Sequence, residues 1–152
     1  MTDTETVPSA ENAEAVSRRV VLLPAGDDWH ALDMIWVREV VAAPLLTALP
    51  TAPTAVVGVF NLRGEIVPLF DTAALLGLGS VRDGSFAVVV ESAHGLAGLA
   101  ATGVPESVVL GDPLGPSETD GTCGSYAIGT RIVTLLDPDT LLVPEHIGGW
   151  SL

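Results

Sequence analysis

Apolar residues in this chain occur in short runs broken by glycine, proline and aspartate, a pattern that predicts many strands rather than long helices. Arg18–Leu23 (RRVVLL) is the first such run, and Pro24–Asp28 behind it has turn composition. From Trp29 to Val40 the chain alternates in part, with His30, Leu32, Met34 and Trp36 on one side and Ala31, Asp33, Ile35 and Val37 on the other. A second strand followed by a bend is expected there. Ala55–Leu62 (AVVGVFNL) and Glu65–Phe70 (EIVPLF) flank Arg63-Gly64, which predicts a hairpin with Gly64 at a positive φ. Pro68 lies inside the second run and lacks an N–H, so that run is expected to be an edge strand or to carry a bulge.

Asp71 is placed to cap the short helix TAALL, which Gly77 ends at a left-handed position. Five further strands are predicted: Phe86–Glu91, Gly95–Thr102, Ser107–Leu110, Ser125–Gly129 and Arg131–Leu136. The stretch Gly111–Gly124 holds four glycines and two prolines among acidic and hydroxyl residues and reads as a surface loop. Asp137-Pro138 supplies a cap and a first-turn proline for a last helical turn. Closely spaced short strands with no long repeat predict an all-β barrel, or a pair of barrels, joined by short helical turns.

Composition narrows what such a fold could bind. Six arginines and no lysine stand against nineteen acidic residues, a formal net charge of −13. Binding to nucleic acid or to an anionic membrane needs clustered cations, so both are excluded as partners. Residues 1–17 carry Asp3, Glu5, Glu11 and Glu14 without an apolar run, and read as a disordered acidic tail rather than a signal peptide. Val40–Leu62 has no charge and is long enough to cross a bilayer, yet Pro44, Pro50 and Pro53 would break the helix. No membrane insertion is expected. Cys123 is the single cysteine, so there is no disulfide framework, and a reducing cytoplasm is the simplest setting.

The search for chemistry excludes more than it finds. His30, His94 and His146 lie in three distant segments without metal-ligand spacing, so no metal is expected, and no catalytic set is assigned. Gly77-Leu-Gly79 lacks the third glycine and the preceding strand of a dinucleotide fingerprint, so no cofactor is implied. The alternative kept open is a small-molecule-binding or hydrolytic β-barrel in which Cys123 and a histidine form a pocket. Against it, nothing near Cys123 in sequence would lower the thiol pKa, and a free surface thiol accounts for it as well. Arg63 is a lone cation at a hairpin tip, following an uncharged stretch of twenty-three residues. It either solvates the tip or anchors a partner, since arginine is enriched among interface hot spots and binds carboxylates bidentately.

Five ordered pieces then carry a resemblance: Val37-Arg-Glu-Val40, Leu49-Pro-Thr-Ala-Pro53, Val57-Gly-Val-Phe-Asn-Leu-Arg-Gly64, Ile66-Val-Pro-Leu-Phe-Asp71 and Leu76-Gly-Leu78. In this order they resemble the CheW-like chemotaxis coupling family, and Gly98-Leu99 and Leu135–Leu142 extend the likeness over Arg18 to Val143. The resemblance implies two intertwined small SH3-like β-barrels with a hydrophobic seam, spanning 18–147, with 148–152 as a C-terminal tail. It also implies a non-catalytic adaptor, cytoplasmic and held at membrane-associated receptor arrays. Such an adaptor links the signalling tip of methyl-accepting chemoreceptors to the regulatory domain of a CheA-type histidine kinase. The family's partner-contact arginine and glutamate map onto Arg63 and Glu39. The second half departs from the pattern: Ala101-Thr102 replaces the usual valine-aspartate pair, and Pro105 interrupts the following strand.

Overall fold

The computed structural model describes residues 18–150 and 152; the predicted acidic tail at 1–17 lies outside them. Among the described residues eleven strands form two sheets. Strands β1 (Arg19–Ala25), β2 (Asp28–Asp33), β8 (Glu106–Val109), β9 (Pro113–Gly115), β10 (Thr122–Ile128) and β11 (Arg131–Leu136) make one, in the order β8-β1-β2-β11-β10-β9. Strands β3 (Val37–Ala42), β4 (Val56–Leu62), β5 (Glu65–Phe70), β6 (Phe86–Ser92) and β7 (Gly95–Ala101) make the other, in the order β3-β6-β7-β5-β4. The second sheet is thus inserted between the two halves of the first. That is the intertwining the family resemblance implies.

Each sheet closes on itself. In the second, Thr47 bridges to Val59 on β4 with a pair of backbone hydrogen bonds of 2.8 and 2.9 Å, so the β3–β4 connection covers the β4 edge. In the first, Leu110 N donates to Arg18 O and Ala127 N to Asp112 O, tying the segment after β8 onto β10.

Alternation along the strands sorts the core into three parts. Val20, Leu22, Ala31, Val133 and Leu135 fill the first barrel, and Phe60, Val67, Leu69, Ala87 and Val89 fill the second. Leu23, Leu32 and Leu136 from one sheet meet Phe70, Val88, Val90 and Leu99 from the other in the seam between them. The run Phe86–Glu91 is apolar throughout because β6 is buried on both faces, Ala87 and Val89 inside a barrel, Val88 and Val90 in the seam.

Several expectations need correction. Trp29–Val40 is two strands in different sheets, separated by a single 3-10 turn at Met34–Trp36, where the Asp33 carboxylate accepts from Ile35 N at 3.1 Å. An aspartate one turn ahead of the crossover gives the backbone a local partner and ends the first ladder. β5 is interior, between β7 and β4, despite Pro68. The parallel ladder to β7 begins only at Leu69, one residue past the missing N–H, and the register shift falls on β4, between Val56 and Gly58. Gly111–Gly124 is not wholly loop, since Pro113–Gly115 pairs with β10 and β10 starts at Thr122. Trp150 and Leu152 lie in the segment expected as a C-terminal tail. Trp150 meets Phe70 edge-on at 6.3 Å, and both Trp150 and Leu152 pack on the seam.

Both predicted caps are present. Asp137 accepts from Asp139 N at 3.2 Å at the start of the turn Pro138–Leu141. Asp71 caps Thr72–Leu75 through Ala74 N at 3.2 Å, and its other oxygen accepts from Ser80 Oγ, Val81 N and Arg82 N at 3.0, 2.9 and 2.9 Å.

Candidate functional site

The hairpin predicted around Arg63-Gly64 forms with Leu62 opposite Glu65 and a two-residue turn between them. Gly64 has φ 91° as expected, and Arg63 itself is left-handed at φ 51°. Positive φ at both central positions matches the right-handed twist of the flanking strands. Asn61 Oδ1 accepts from Gly64 N at 2.9 Å and fastens the turn from within. An arginine in this conformation costs about 1–2 kcal/mol relative to a right-handed one, so the hairpin imposes it.

Glu39 stands on β3 and Arg63 at the tip of β4–β5, at opposite ends of the sheet order, and barrel closure brings them together as an ion pair. The arginine side chain is 76% exposed and the glutamate 26%. Beside it on β3, Arg38 pairs outward with Glu91 on β6 at 3.2 Å. Exposed ion pairs contribute about 0–1 kcal/mol, so the Arg63–Glu39 contact orients a guanidinium more than it stabilises the barrel. The remaining guanidinium donors face solvent. Val40, next to Glu39, and Ile66, two residues past Gly64, are exposed apolar residues in the same two segments.

A second exposed apolar group lies where the chain passes from one barrel to the other. Ile35 is 82% exposed on the 3-10 turn, with Met34 beside it. No local pattern marks it, because Met34 and Ile35 fit a strand's alternation equally well.

Cys123 lies on β10 rather than in a loop, with Sγ 3.6 Å from Leu135 O. Partial burial pushes its thiol pKa up, Asp137 and Asp33 push the same way, and Arg18 opposes them. A thiolate is therefore disfavoured. Its candidate histidine partners are committed elsewhere: His94 Nε2 meets Asp139 O at 3.1 Å, and His146 Nε2 meets Leu75 O at 2.6 Å. His30 is buried on β2 and forms no hydrogen bond to Cys123. The pocket imagined for Cys123 and a histidine has no support in this geometry. No helix among the described residues is long and apolar enough to cross a membrane, and the uncharged stretch Val40–Leu62 runs from β3 into β4.

Two closed barrels sharing a seam, with an oriented arginine at a hairpin tip and exposed apolar residues elsewhere on the surface, define a two-barrel binding module. The model of the CheW-like domain family matches residues 19–145, and the chain belongs to that family. Its relatives include the chemotaxis protein CheW of Klebsiella aerogenes, 24% identical over 144 residues, covering 88% of this chain and 87% of that protein. CheW of Helicobacter pylori is 29% identical over 126 residues, covering 77% of this chain and 76% of the relative. Protein FrzA of Myxococcus xanthus is 37% identical over 75 residues, 49% of this chain and 45% of FrzA. Among solved structures, the scaffolding protein TtCheW of Thermoanaerobacter tengcongensis has the same fold, with TM-score 0.72 and 23% identity over 89% of this chain and 97% of that one. Proteins of this family are non-catalytic scaffolds, and this chain is a chemotaxis adaptor.

Proposed function

We infer that the chain couples methyl-accepting chemoreceptors to a CheA-type histidine kinase, working in the cytoplasm at membrane-associated receptor arrays. The observation that carries this reading is the Arg63–Glu39 pair: an exposed guanidinium held in a left-handed turn and oriented by a carboxylate from a different part of the chain. Such a group is pre-organised for a partner carboxylate. Met34 and Ile35 offer a separate apolar surface, and an adaptor requires two.

The test is binding of the purified chain to a CheA-type regulatory domain and to a receptor signalling tip. Loss of an arginine hot spot costs on the order of 2 kcal/mol, so Arg63→Ala should weaken one of these complexes about thirtyfold while leaving the fold intact. Absence of binding to both partners at tens of micromolar, or an Arg63→Ala variant that binds as wild type, would sink the coupling reading.

A further inference from the structure

Among the described residues three polar side chains are buried, and two of them are satisfied: Asp71 by its four donors and Thr72 by Ala100 O. His30 is the third. It is 2% exposed, and neither ring nitrogen reaches water or a hydrogen-bond partner. A buried polar group in that position has given up its hydration for nothing, which makes such groups rare in folded proteins.

The ring stands in the seam between the barrels. Trp29 and Ala31 pack on the first barrel's core, so alternation along β2 turns His30 to the face that carries Leu32. Residues opposite each other on paired strands share a face, and those opposite His30 are Leu23 on β1 and Thr134 on β11. Leu23, Leu32 and Leu136, two residues past Thr134, all belong to the seam. Leu76 and Leu78, after β5, line the same pocket as His30 and bring the second barrel's chain to this place. The joint is also short. β2 and β11 share two register pairs, one of them His30 with Thr134, whereas β1 and β2 share six.

We propose that His30 is an acid-released catch between the two barrels: a proton on its ring drives the side chain out of the seam and parts β2 and β11 from the Leu76–Leu78 segment. A neutral imidazole is tolerated in the seam because it carries no net charge. An imidazolium is not, since a buried charge needs a counter-charge and hydrogen bonds together. The surrounding elements supply little of either. On β2, Asp28 lies on the same face at the exposed end of the strand, while Asp33 is paired with Arg18. Burial lowers the pKa of His30 more than the charge of Asp28 raises it. On β1 the one charge, Arg19, is four residues from Leu23, and on β11 Arg131 lies over the Trp29 ring on the other face. Residues 72–78 include no titratable side chain, and His146 is held at Leu75 O behind them. Glu118 and Asp120, beside Thr119, line an open depression. The protonated ring therefore finds its counter-charge and its water outward, toward Asp28. Below about pH 6.5 the opened form binds a proton that the closed form does not, so opening increases as pH falls, by at most about tenfold per pH unit.

The experiment follows the full ¹⁵N-labelled chain by NMR from pH 7.5 to 5. It reads the His30 ring nitrogens, together with amide protection corrected for the intrinsic pH dependence of exchange. The ring is expected to titrate below the ordinary imidazole range. Over the same interval, protection at the His30–Thr134 and Ala31–Leu135 pairs should fall about tenfold or more while the β4–β5 hairpin keeps its own. His30→Leu should hold the joint's protection level. Asp28→Asn, which removes the carboxylate that favours the charged ring, should move the transition to lower pH. A ring that titrates near 6.5 with the joint unmoved overturns the catch, as does wild-type protection that stays constant, and neither readout needs a variant to fold. Equal loss in a folded His30→Leu overturns it by assigning the opening to other groups. Uniform loss across both barrels overturns it by reducing the effect to global acid unfolding. The assay contains neither kinase nor receptor and none of its outcomes bears on Arg63, so this proposal and the coupling reading fail separately.

Discussion

Asp71 is expected to be the costliest single polar side chain to remove. Its carboxylate is 1% exposed and accepts four hydrogen bonds at 2.9 to 3.2 Å, one from the helix it caps and three from Ser80, Val81 and Arg82. Hydrogen bonds to a charged group contribute about 1.5–3 kcal/mol each, but they are not additive and the three loop donors can rehydrate once freed. Taking about 1 kcal/mol for the cap and roughly half the nominal value for each loop bond gives a loss of about 3–5 kcal/mol for Asp71→Ala. For a domain of this size that is a fall in Tm of about 8–16 °C. Asp71→Asn should be intermediate, because its amide can present an oxygen to only one side. Urea denaturation measures the global loss, and amide exchange at Val81 and Arg82 reads the local one. The reasoning fails if Asp71→Ala costs under about 1 kcal/mol, or if those two amides already exchange freely in wild type.

Two other outcomes follow from the packing. His30 has its pKa lowered by burial, so below the ordinary imidazole value of about 6.5 the unfolded chain binds more protons than the folded one, and stability must fall as pH falls. Wild type should therefore lose up to about 1.4 kcal/mol per pH unit relative to His30→Leu on going from pH 7 toward 5, and parallel curves in a pH series of denaturation midpoints would refute it. At Gly111 an added Cβ would lie 1.7 Å from Ala127 O, a backbone atom, so Gly111→Ala should break the closure of the first barrel and cost about 3 kcal/mol or more. Thermal melting decides it, a near-neutral variant being the contrary result.

Local chemistry was readable in the sequence wherever it is satisfied within a few residues. The Leu62–Glu65 hairpin, both aspartate caps and the limits of β11 depend on turn residues and neighbours, so they could be anticipated. What failed depends on partners far along the chain. β2 and β11 pair in parallel through His30 and Thr134, and no local pattern shows that Trp29–Val40 must divide to serve two sheets. The missing N–H of Pro68 predicts an edge strand or a bulge, whereas the strand is interior, tolerates the proline just before the parallel ladder begins, and has its register shift on the facing strand β4. The site behaved the same way. Arg63 stands out by its isolation in an uncharged stretch, but its pairing with Glu39, twenty-four residues earlier, has no local signal, and the family resemblance names the two as partner-contact residues without joining them. His30 showed no signal, since a histidine among alternating apolar residues reads as core until its ring is found without partners.

The arrangement also bears on how two barrels can act as one part. An adaptor changes no bonds, so its contribution is the fixed relation between its surfaces. Here that relation depends on a seam supplied by both sheets and by the chain's last residues, with Phe70 and Trp150 in edge-on contact. Close-packed apolar interiors rearrange between discrete states rather than bending continuously, so the seam transmits position with little slack. The Arg63 tip belongs wholly to the second barrel, while a pocket lined by Asp28 and Thr134 of the first sheet and by Leu76 and Leu78, after β5, draws on both. Loosening the seam would therefore alter the pocket directly and the tip only in its placement relative to the first barrel. Damage to coupling without loss of either individual binding event is the behaviour this geometry implies for seam substitutions.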